Sequence, residues 1–180
     1  HTRPVREVVC EVRNLRGRRF AFNDVNLVDD REHALELFEA LAPLGKKWGG
    51  LAPVSLADNP ELLAAAARSG CQYLLVGFES VCQSSLGQLR KTRNQVTRYH
   101  AAIEAFHRHG IVVQGCFIFG MDDDEPTIFE DTVNIVNALG IDIPRYAVST
   151  PYPSTALYRK LEAEGRLLHT DWSHYDTQHV

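Results

Sequence analysis

The chain has 180 residues, a formal charge of −4 at neutral pH, 44% apolar residues and 23% charged residues. These values are ordinary for one soluble globular domain and exclude a disordered, collagen-like or coiled-coil protein. Because 19 basic residues nearly balance 23 acidic ones, no nucleic-acid partner is expected, and the longest apolar runs are too short to span a membrane.

Helix and strand patterns alternate along the chain. Apolar residues recur every three or four positions in the helical segments, whereas the strands are short, nearly continuous apolar runs. Glycines such as Gly17, Gly70 and Gly140 stand where helices end. The predicted elements are, in chain order, a helix at 5–15, a strand at 18–22, a helix around 35–41, a strand at 48–55, a helix at 60–67, a strand at 73–78, a long helical region ending at 110, a strand at 111–119, a helix at 125–139, a strand at 141–149 and a helix at 153–164.

This alternation predicts right-handed βαβ units and a five-stranded parallel sheet in a single domain covering residues 1–180. The first helix has no strand before it, and a complete eight-fold barrel needs about 250 residues. We therefore expect a partial barrel that lacks its N-terminal strand. An open, doubly wound sheet is the competing architecture, although no G-x-G-x-x-G sequence follows any predicted strand.

The four cysteines are far apart in the sequence, at Cys10, Cys71, Cys82 and Cys116. No two of them have the C-x-x-C spacing of a zinc ribbon or a local iron–sulfur motif, so no metal ligands are expected within this sequence. Neither a disulfide scaffold nor a secretory signal is indicated, and we expect a reducing, cytoplasmic location.

Polar residues follow several predicted strands, which is where parallel α/β folds place functional groups. Glu79 comes directly after a buried strand and is no obvious helix cap, so its carboxylate is a candidate acceptor for sugar hydroxyls or an amine. The acids at 122–124 could bind a divalent metal ion, but they also precede a predicted helix and could cap it. Asn26 or Asp29 could likewise cap an earlier helix. Pro151 is expected to stiffen a loop whose backbone groups can bind the edge of a planar base.

Several segments of the chain together resemble a known family. They are 20–26 (FAFNDVN), 76–80 (VGFES), 115–122 (GCFIFGMD), 150–158 (TPYPSTALY), 164–166 (EGR) and 171–172 (DW). In this order they resemble the core of radical S-adenosylmethionine enzymes, most closely the subgroup whose radical domain follows a cobalamin-binding domain. The resemblance covers nearly the whole chain and implies an α/β fold with parallel strands, a partial (β/α)6 TIM-like barrel.

The resemblance also implies a reaction and a set of cofactors. In such enzymes a [4Fe–4S] cluster binds S-adenosylmethionine and cleaves it reductively to a 5′-deoxyadenosyl radical, which activates a C–H bond. Methyl transfer or cyclisation would be the outcome of the reaction. A small-molecule substrate and an electron donor such as flavodoxin or ferredoxin would be the partners, and an upstream domain could add cobalamin.

Position by position, the resemblance implies a cofactor-binding set. Glu79, with Ser80 beside it, matches the position that contacts ribose. Asp24 and Asn26 match a segment near the methionine amino group. The remaining assignments are Gly115 and Phe119 against adenine, Thr150 and Pro151 at the edge of the adenine pocket, and Lys91 or Arg93 at the methionine carboxylate.

Two features depart from the family pattern. Ser154 stands where the family usually has a glycine in a tight turn. The family's C-x3-C-x2-C loop, which holds the cluster, is absent and would belong just before the helix that begins near Pro4. We therefore expect this segment alone to be inactive.

Two other functions remain open from the sequence. One is a metal-dependent barrel lyase or aldolase that uses Glu79 and Asp122. The other is a non-catalytic α/β scaffold domain.

Overall fold

The computed structural model describes residues 2–89, 91 and 94–179. The strands in this part of the chain are β1 (Arg19–Ala21), β2 (Lys47–Pro53), β3 (Cys71–Glu79), β4 (Val112–Phe119) and β5 (Ile143–Val148). The α-helices are α1 (Val5–Asn14), α2 (Arg31–Leu41), α3 (Pro60–Arg68), α4 (Gln83–Gln88), α5 (Tyr99–Arg108), α6 (Ile128–Leu139) and α7 (Ala156–Ala163).

All five strands form one parallel sheet, and their spatial order is the same as their order in the chain. A doubly wound sheet reverses its strand order at a switch point, and this sheet does not. The sheet curls into a half-barrel, so the prediction of a partial TIM-like barrel is confirmed. Its carboxyl ends lie at one edge, where the polar residues follow the strands.

The two faces of the sheet differ. On one face, Leu74, Val76 and Phe78 of β3 are buried in a single hydrophobic core shared with the helices. We call this the helix-covered face. The residues that alternate with them, including Leu75 and Gly77, are partly exposed and form the open face. An open face that ends in polar side chains leaves room for a ligand at the carboxyl edge.

Helix ends agree with the sequence patterns in part. Helix α3 begins at Pro60, as predicted, and Asn59 caps it by accepting a hydrogen bond from the Leu62 amide. The cap of α2 is Asp30, so the prediction that Asn26 or Asp29 caps this helix is wrong. Asn26 instead accepts a hydrogen bond from the Val28 amide within the loop before the helix.

The long helical region predicted to end at residue 110 is two separate helices, α4 and α5. The segment between them carries Asn94, whose side chain turns toward the end of β3. In the described part of the chain, no helix combines the length and the apolarity that crossing a membrane would require.

Candidate binding site at the carboxyl ends of the strands

Strand β3 ends in an irregular step. Gly77 pairs with Cys116 and Glu79 pairs with Phe117, so the intervening Phe78 has no partner residue in β4. Glu79 adopts a φ of 72°, in the left-handed region that residues other than glycine seldom occupy. A bulge of this kind changes the direction of the side chain that follows it.

The carboxylate of Glu79 folds back over Gly77. A Cβ atom built on Gly77 would lie 2.5 Å from Oε1 of Glu79, so this position of the carboxylate requires glycine at residue 77. Lys91 places its Nζ 2.9 Å from the same Oε1. Glu79 is 9% exposed, whereas the Lys91 side chain is half-exposed. The structure thus brings Glu79 and Lys91 together on the open face, while Arg93 lies outside the described residues.

The turn after Glu79 is fixed by Ser80. Its amide donates to the Phe78 carbonyl over 3.0 Å, and its hydroxyl accepts from the Cys82 amide over 3.0 Å. Ser80 is buried, so its side chain serves the local turn. On the neighbouring strand, burial raises the pKa of the Cys116 thiol; the positive charge of Arg145 opposes this rise and the negative charge of Glu79 adds to it.

The acids after β4 hold the loop rather than cap a helix. Asp124 accepts hydrogen bonds from the amides of Gly120 and Met121 and from the hydroxyl of Ser85. Helix α6 begins only at Ile128 and has no side-chain cap. The prediction that the acids at 122–124 cap the following helix is therefore wrong.

Asp122 forms a clasp with two cations from the C-terminal part of the chain. Its Oδ1 lies 2.5 Å from Arg166, and its Oδ2 lies 2.9 Å from Lys160. Hydrogen bonds from Arg166 and then Lys160 hold the pKa of Asp122 well below its usual range. With both oxygens engaged by cations, Asp122 offers little to a metal ion, which weighs against the metal-dependent lyase.

A cavity of about 220 Å³ lies beyond the ends of β4 and β5. Thr150 and Pro151 line it, together with Gly120 and Arg166. Its other wall comes from the C-terminal tail, whose lining residues are Leu167, Leu168, His169, His174, Tyr175 and His179.

This C-terminal tail, residues 167–179, is hydrogen-bonded to the sheet, and several of its aromatic and histidine rings pack against one another. The Val148 amide of β5 donates to the Thr177 carbonyl over 2.7 Å. His174 lies between His169 and His179, with ring centroids 5.0 and 4.9 Å away. These histidines were not identified from the sequence as cavity-lining residues. Their regular spacing of five residues, near the aromatic Trp172 and Tyr175, was the available sign that their rings lie together.

Gly115 and Phe119 lie on the helix-covered face. A Cβ atom on Gly115 would touch Ile141 and Phe78, and the Phe119 ring packs 4.8 Å from Phe129 of α6. Any contact with adenine from these two positions would therefore come from their backbone atoms.

Asp24 and Asn26 line a separate crevice of about 630 Å³ between α1, the end of β1 and α2. Neither Glu79 nor Thr150 lines this crevice. The structure therefore does not bring all the predicted site residues into one cavity. Within the described ranges, no cluster of three or more His, Cys, Asp or Glu side chains is arranged to hold a metal ion.

Known proteins are similar to this chain in sequence, although no family model matches it. It is 35% identical over 161 residues to bacteriochlorophyllide d C-12(1)-methyltransferase of Chlorobaculum tepidum, covering 89% of this chain and 35% of that protein. It is 26% identical over 156 residues to hopanoid C-2 methylase of Rhodopseudomonas palustris, covering 83% of this chain and 30% of that protein. The chain thus spans about a third of the curated relatives it matches.

Solved structures share the fold. The radical S-adenosylmethionine methyltransferase TsrM from Kitasatospora setae, with cobalamin and a [4Fe–4S] cluster bound, superposes with a TM-score of 0.80 at 15% identity, over 94% of this chain and 35% of that one. Coproporphyrinogen III oxidase (HemN) from Escherichia coli superposes with a TM-score of 0.69 at 12% identity, over 87% of this chain and 38% of that one. At these identities the likeness establishes the architecture.

Proposed function

We propose that this chain, which belongs to the radical S-adenosylmethionine superfamily, forms the S-adenosylmethionine-binding half-barrel of an enzyme that transfers a methyl group to carbon. The single observation that carries S-adenosylmethionine binding is the position of Glu79. Its carboxylate lies on the open face at the carboxyl edge of the sheet, where it can accept hydrogen bonds from two neighbouring hydroxyls.

The residues present fit a ribose at this point. Gly77 carries no side chain, and the space that a Cβ would fill is occupied by the Glu79 carboxylate. Lys91 neutralises one carboxylate oxygen, and we propose that its half-exposed Nζ also attracts the methionine carboxylate. We propose that backbone groups of Thr150 and Pro151 border the adenine, because both residues line a cavity at the same edge.

The other predicted contacts are proposed with narrower roles. Asp24 and Asn26 would approach the methionine amino group from the crevice beside β1. Gly115 and Phe119 would contribute backbone atoms only, since the Phe119 ring and the site of a Gly115 Cβ lie on the helix-covered face. Ser80 would support Glu79 through the turn that it closes.

The described residues do not fit an iron–sulfur cluster, because no three of their potential ligands come together. We propose that the cluster's ligands lie outside this sequence. A cluster held by such ligands would supply the electron for reductive cleavage of S-adenosylmethionine. The part of this chain is to bind and orient the ribose and adenine and to exclude water from them.

The methyl-transfer assignment and the remaining partners are drawn from the comparisons. The methyltransferases of Chlorobaculum tepidum and Kitasatospora setae support a methyl transfer, and the latter supports cobalamin as a further cofactor. A small-molecule substrate, an electron donor such as flavodoxin or ferredoxin, and a cytoplasmic location complete the proposal.

The test is Glu79→Ala in the complete protein carrying its cluster. We expect S-adenosylmethionine to bind about tenfold or more weakly, because a charge-assisted acceptor is lost, with the cluster absorbance unchanged. Glu61→Ala is the matched control, since Glu61 forms an exposed ion pair with Arg31 away from the site. Equal affinity of Glu79→Ala and Glu61→Ala, measured by equilibrium dialysis, would reject the ribose assignment.

A further inference from the structure

The backbone around Glu79 is held in an unfavourable conformation. The left-handed φ of Glu79 costs free energy, and the bulge leaves Phe78 without a partner residue in β4. Such a conformation persists only where surrounding groups over-determine it. The stabilising groups can therefore be identified from the contacts of Phe78 and Gly77.

Two buried side chains reach this backbone from outside the strand. Tyr99, the first residue of α5, donates its hydroxyl to the Phe78 carbonyl over 2.6 Å. Asn94 donates its side-chain amide group to the carbonyls of both Gly77 and Phe78, each over 3.0 Å. Tyr99 is 1% exposed and Asn94 is 6% exposed, so water does not compete for these bonds.

The same two residues are themselves fixed. The ring of Tyr99 packs edge-on against Phe78 with a centroid distance of 4.8 Å. The backbone amide of Asn94 donates to the Lys91 carbonyl over 2.9 Å, and its backbone carbonyl accepts from Gln83 over 3.1 Å. Asn94 thus links the backbone before Glu79 to the backbone of Lys91, the cation that pairs with the Glu79 carboxylate.

We propose that Asn94 and Tyr99 are positioning residues that fix the Glu79 carboxylate for the vicinal hydroxyls of a ribose. They hold the carbonyls of Gly77 and Phe78 at the bulge, and the bulge turns the carboxylate over Gly77 on the open face. Neither residue reaches the ligand itself. This inference rests on the proposed function, since it deepens the role of the same site.

The first experiment is a double-mutant cycle in the complete, cluster-loaded protein without a reductant. Tyr99→Phe removes only the hydroxyl and is expected to weaken S-adenosylmethionine binding about fivefold. In the Glu79→Ala background the same substitution should change the Kd by less than about twofold, because its effect passes through Glu79. A general loss of folding would instead weaken binding in both backgrounds.

Tyr73→Phe is the matched control. Tyr73 lies near the other end of β3 and donates its hydroxyl to Gln114, so Tyr73→Phe also removes one tyrosine hydroxyl and its hydrogen bond, but away from Glu79. We expect its Kd to stay within about twofold of the original value.

Asn94→Asp is the second variant, because it keeps the shape of the side chain and loses the donors that the two carbonyls need. Asn59→Asp is its control, since aspartate retains the capping acceptor of α3. Asn94→Asp should weaken binding only while Glu79 is present, and thermal unfolding of each variant identifies any that fails to fold.

The outcomes distinguish a failure of this inference from a failure of the ribose assignment to Glu79. If Glu79→Ala weakens binding but Tyr99→Phe and folded Asn94→Asp do not, the inference is overturned and the ribose assignment stands. Equal losses in both backgrounds also overturn it. If Glu79→Ala leaves the affinity unchanged, the ribose assignment and this inference fail together.

Discussion

The ends of β3 and β5 lie at the same edge of one sheet but have different surroundings. At β3, buried hydrogen bonds from Asn94 and Tyr99 hold the backbone that orients Glu79. At β5, the cavity beside Thr150 is bordered by the exposed clasp of Asp122 and by a ring-rich tail. Buried hydrogen bonds are insensitive to salt, whereas exposed ion pairs are screened and contribute little. Buried hydrogen bonds thus fix the end of β3, whereas the cavity near the end of β5 is bordered in part by exposed ion pairs.

The largest expected effect is on the free energy of unfolding, from a substitution at the end of β3. Asn94→Ala removes both donors from the carbonyls of Gly77 and Phe78 in a buried setting and should lower the free energy of unfolding by about 2 kcal/mol. Asn59→Ala, which removes only a helix cap, should cost about 1 kcal/mol. Urea unfolding of both variants measures the two free energies. If Asn94→Ala is destabilised no more than Asn59→Ala, the hydrogen bonds of Asn94 do not fix the end of β3.

Gly77→Ala should weaken S-adenosylmethionine binding more than it lowers the free energy of unfolding. The new Cβ would collide with the end of the Glu79 side chain, which can swing away, so the carboxylate moves while the backbone stays. We expect S-adenosylmethionine to bind about tenfold more weakly, equivalent to about 1.4 kcal/mol, with a smaller change in unfolding free energy. Gly87→Ala is the control, since nothing lies within 4 Å of a Cβ at that position. Full affinity in Gly77→Ala would show that the carboxylate position is unimportant.

A smaller effect is expected at the loop after β5. Ser154 adopts a φ of 66°, so the tight turn forms despite the serine, at a cost in strain. Ser154→Gly should raise the free energy of unfolding by about 0.5 kcal/mol, because relief of strain exceeds the added flexibility of the unfolded chain. Ser154→Ala keeps the Cβ and should give no such gain; equal midpoints for the two variants in thermal unfolding would rule out strain.

The smallest effect should come from the clasp. The folded-state pKa of Asp122 is lowered, so its stabilising contribution is present above the unfolded value near pH 4 and is lost as the pH falls through the lower folded value. The Tm difference between the original protein and Asp122→Asn should therefore be constant from pH 7 to about pH 4, shrink in stronger acid and shrink in high salt. Asp123→Asn removes the same charge one position away; the same pH dependence in both variants would show a net-charge effect.

The sequence predicted the architecture because alternation of helix and strand patterns leaves few parallel topologies. It also singled out Glu79, since a carboxylate directly after a buried strand is unusual. The bulge at Phe78 was not predictable, because residues 73–78 read as a regular strand. Tyr99 falls within the long helical region predicted to end at 110, and nothing in the sequence showed that its hydroxyl donates to a carbonyl of β3.

The error over the acids at 122–124 has a physical origin. Acids before a helix usually cap it, but helix α6 starts only after Pro126, at Ile128. Asp124 then bonds to the loop amides of Gly120 and Met121, which the turn leaves free. The ion pair between Asp122 and Arg166 depends on how the C-terminal part of the chain folds back toward the sheet, which the sequence around Asp122 does not predict.

The hydrogen bond from Val148 to Thr177 has a consequence for the last strand of the sheet. An edge strand with free amides is a template for pairing with another molecule, and the tail occupies one of those amides. The same tail forms a wall of the cavity beside Thr150. Any movement that lifts the tail to admit a ligand therefore also uncovers part of the strand edge, so access to the cavity and protection against self-association depend on one short segment.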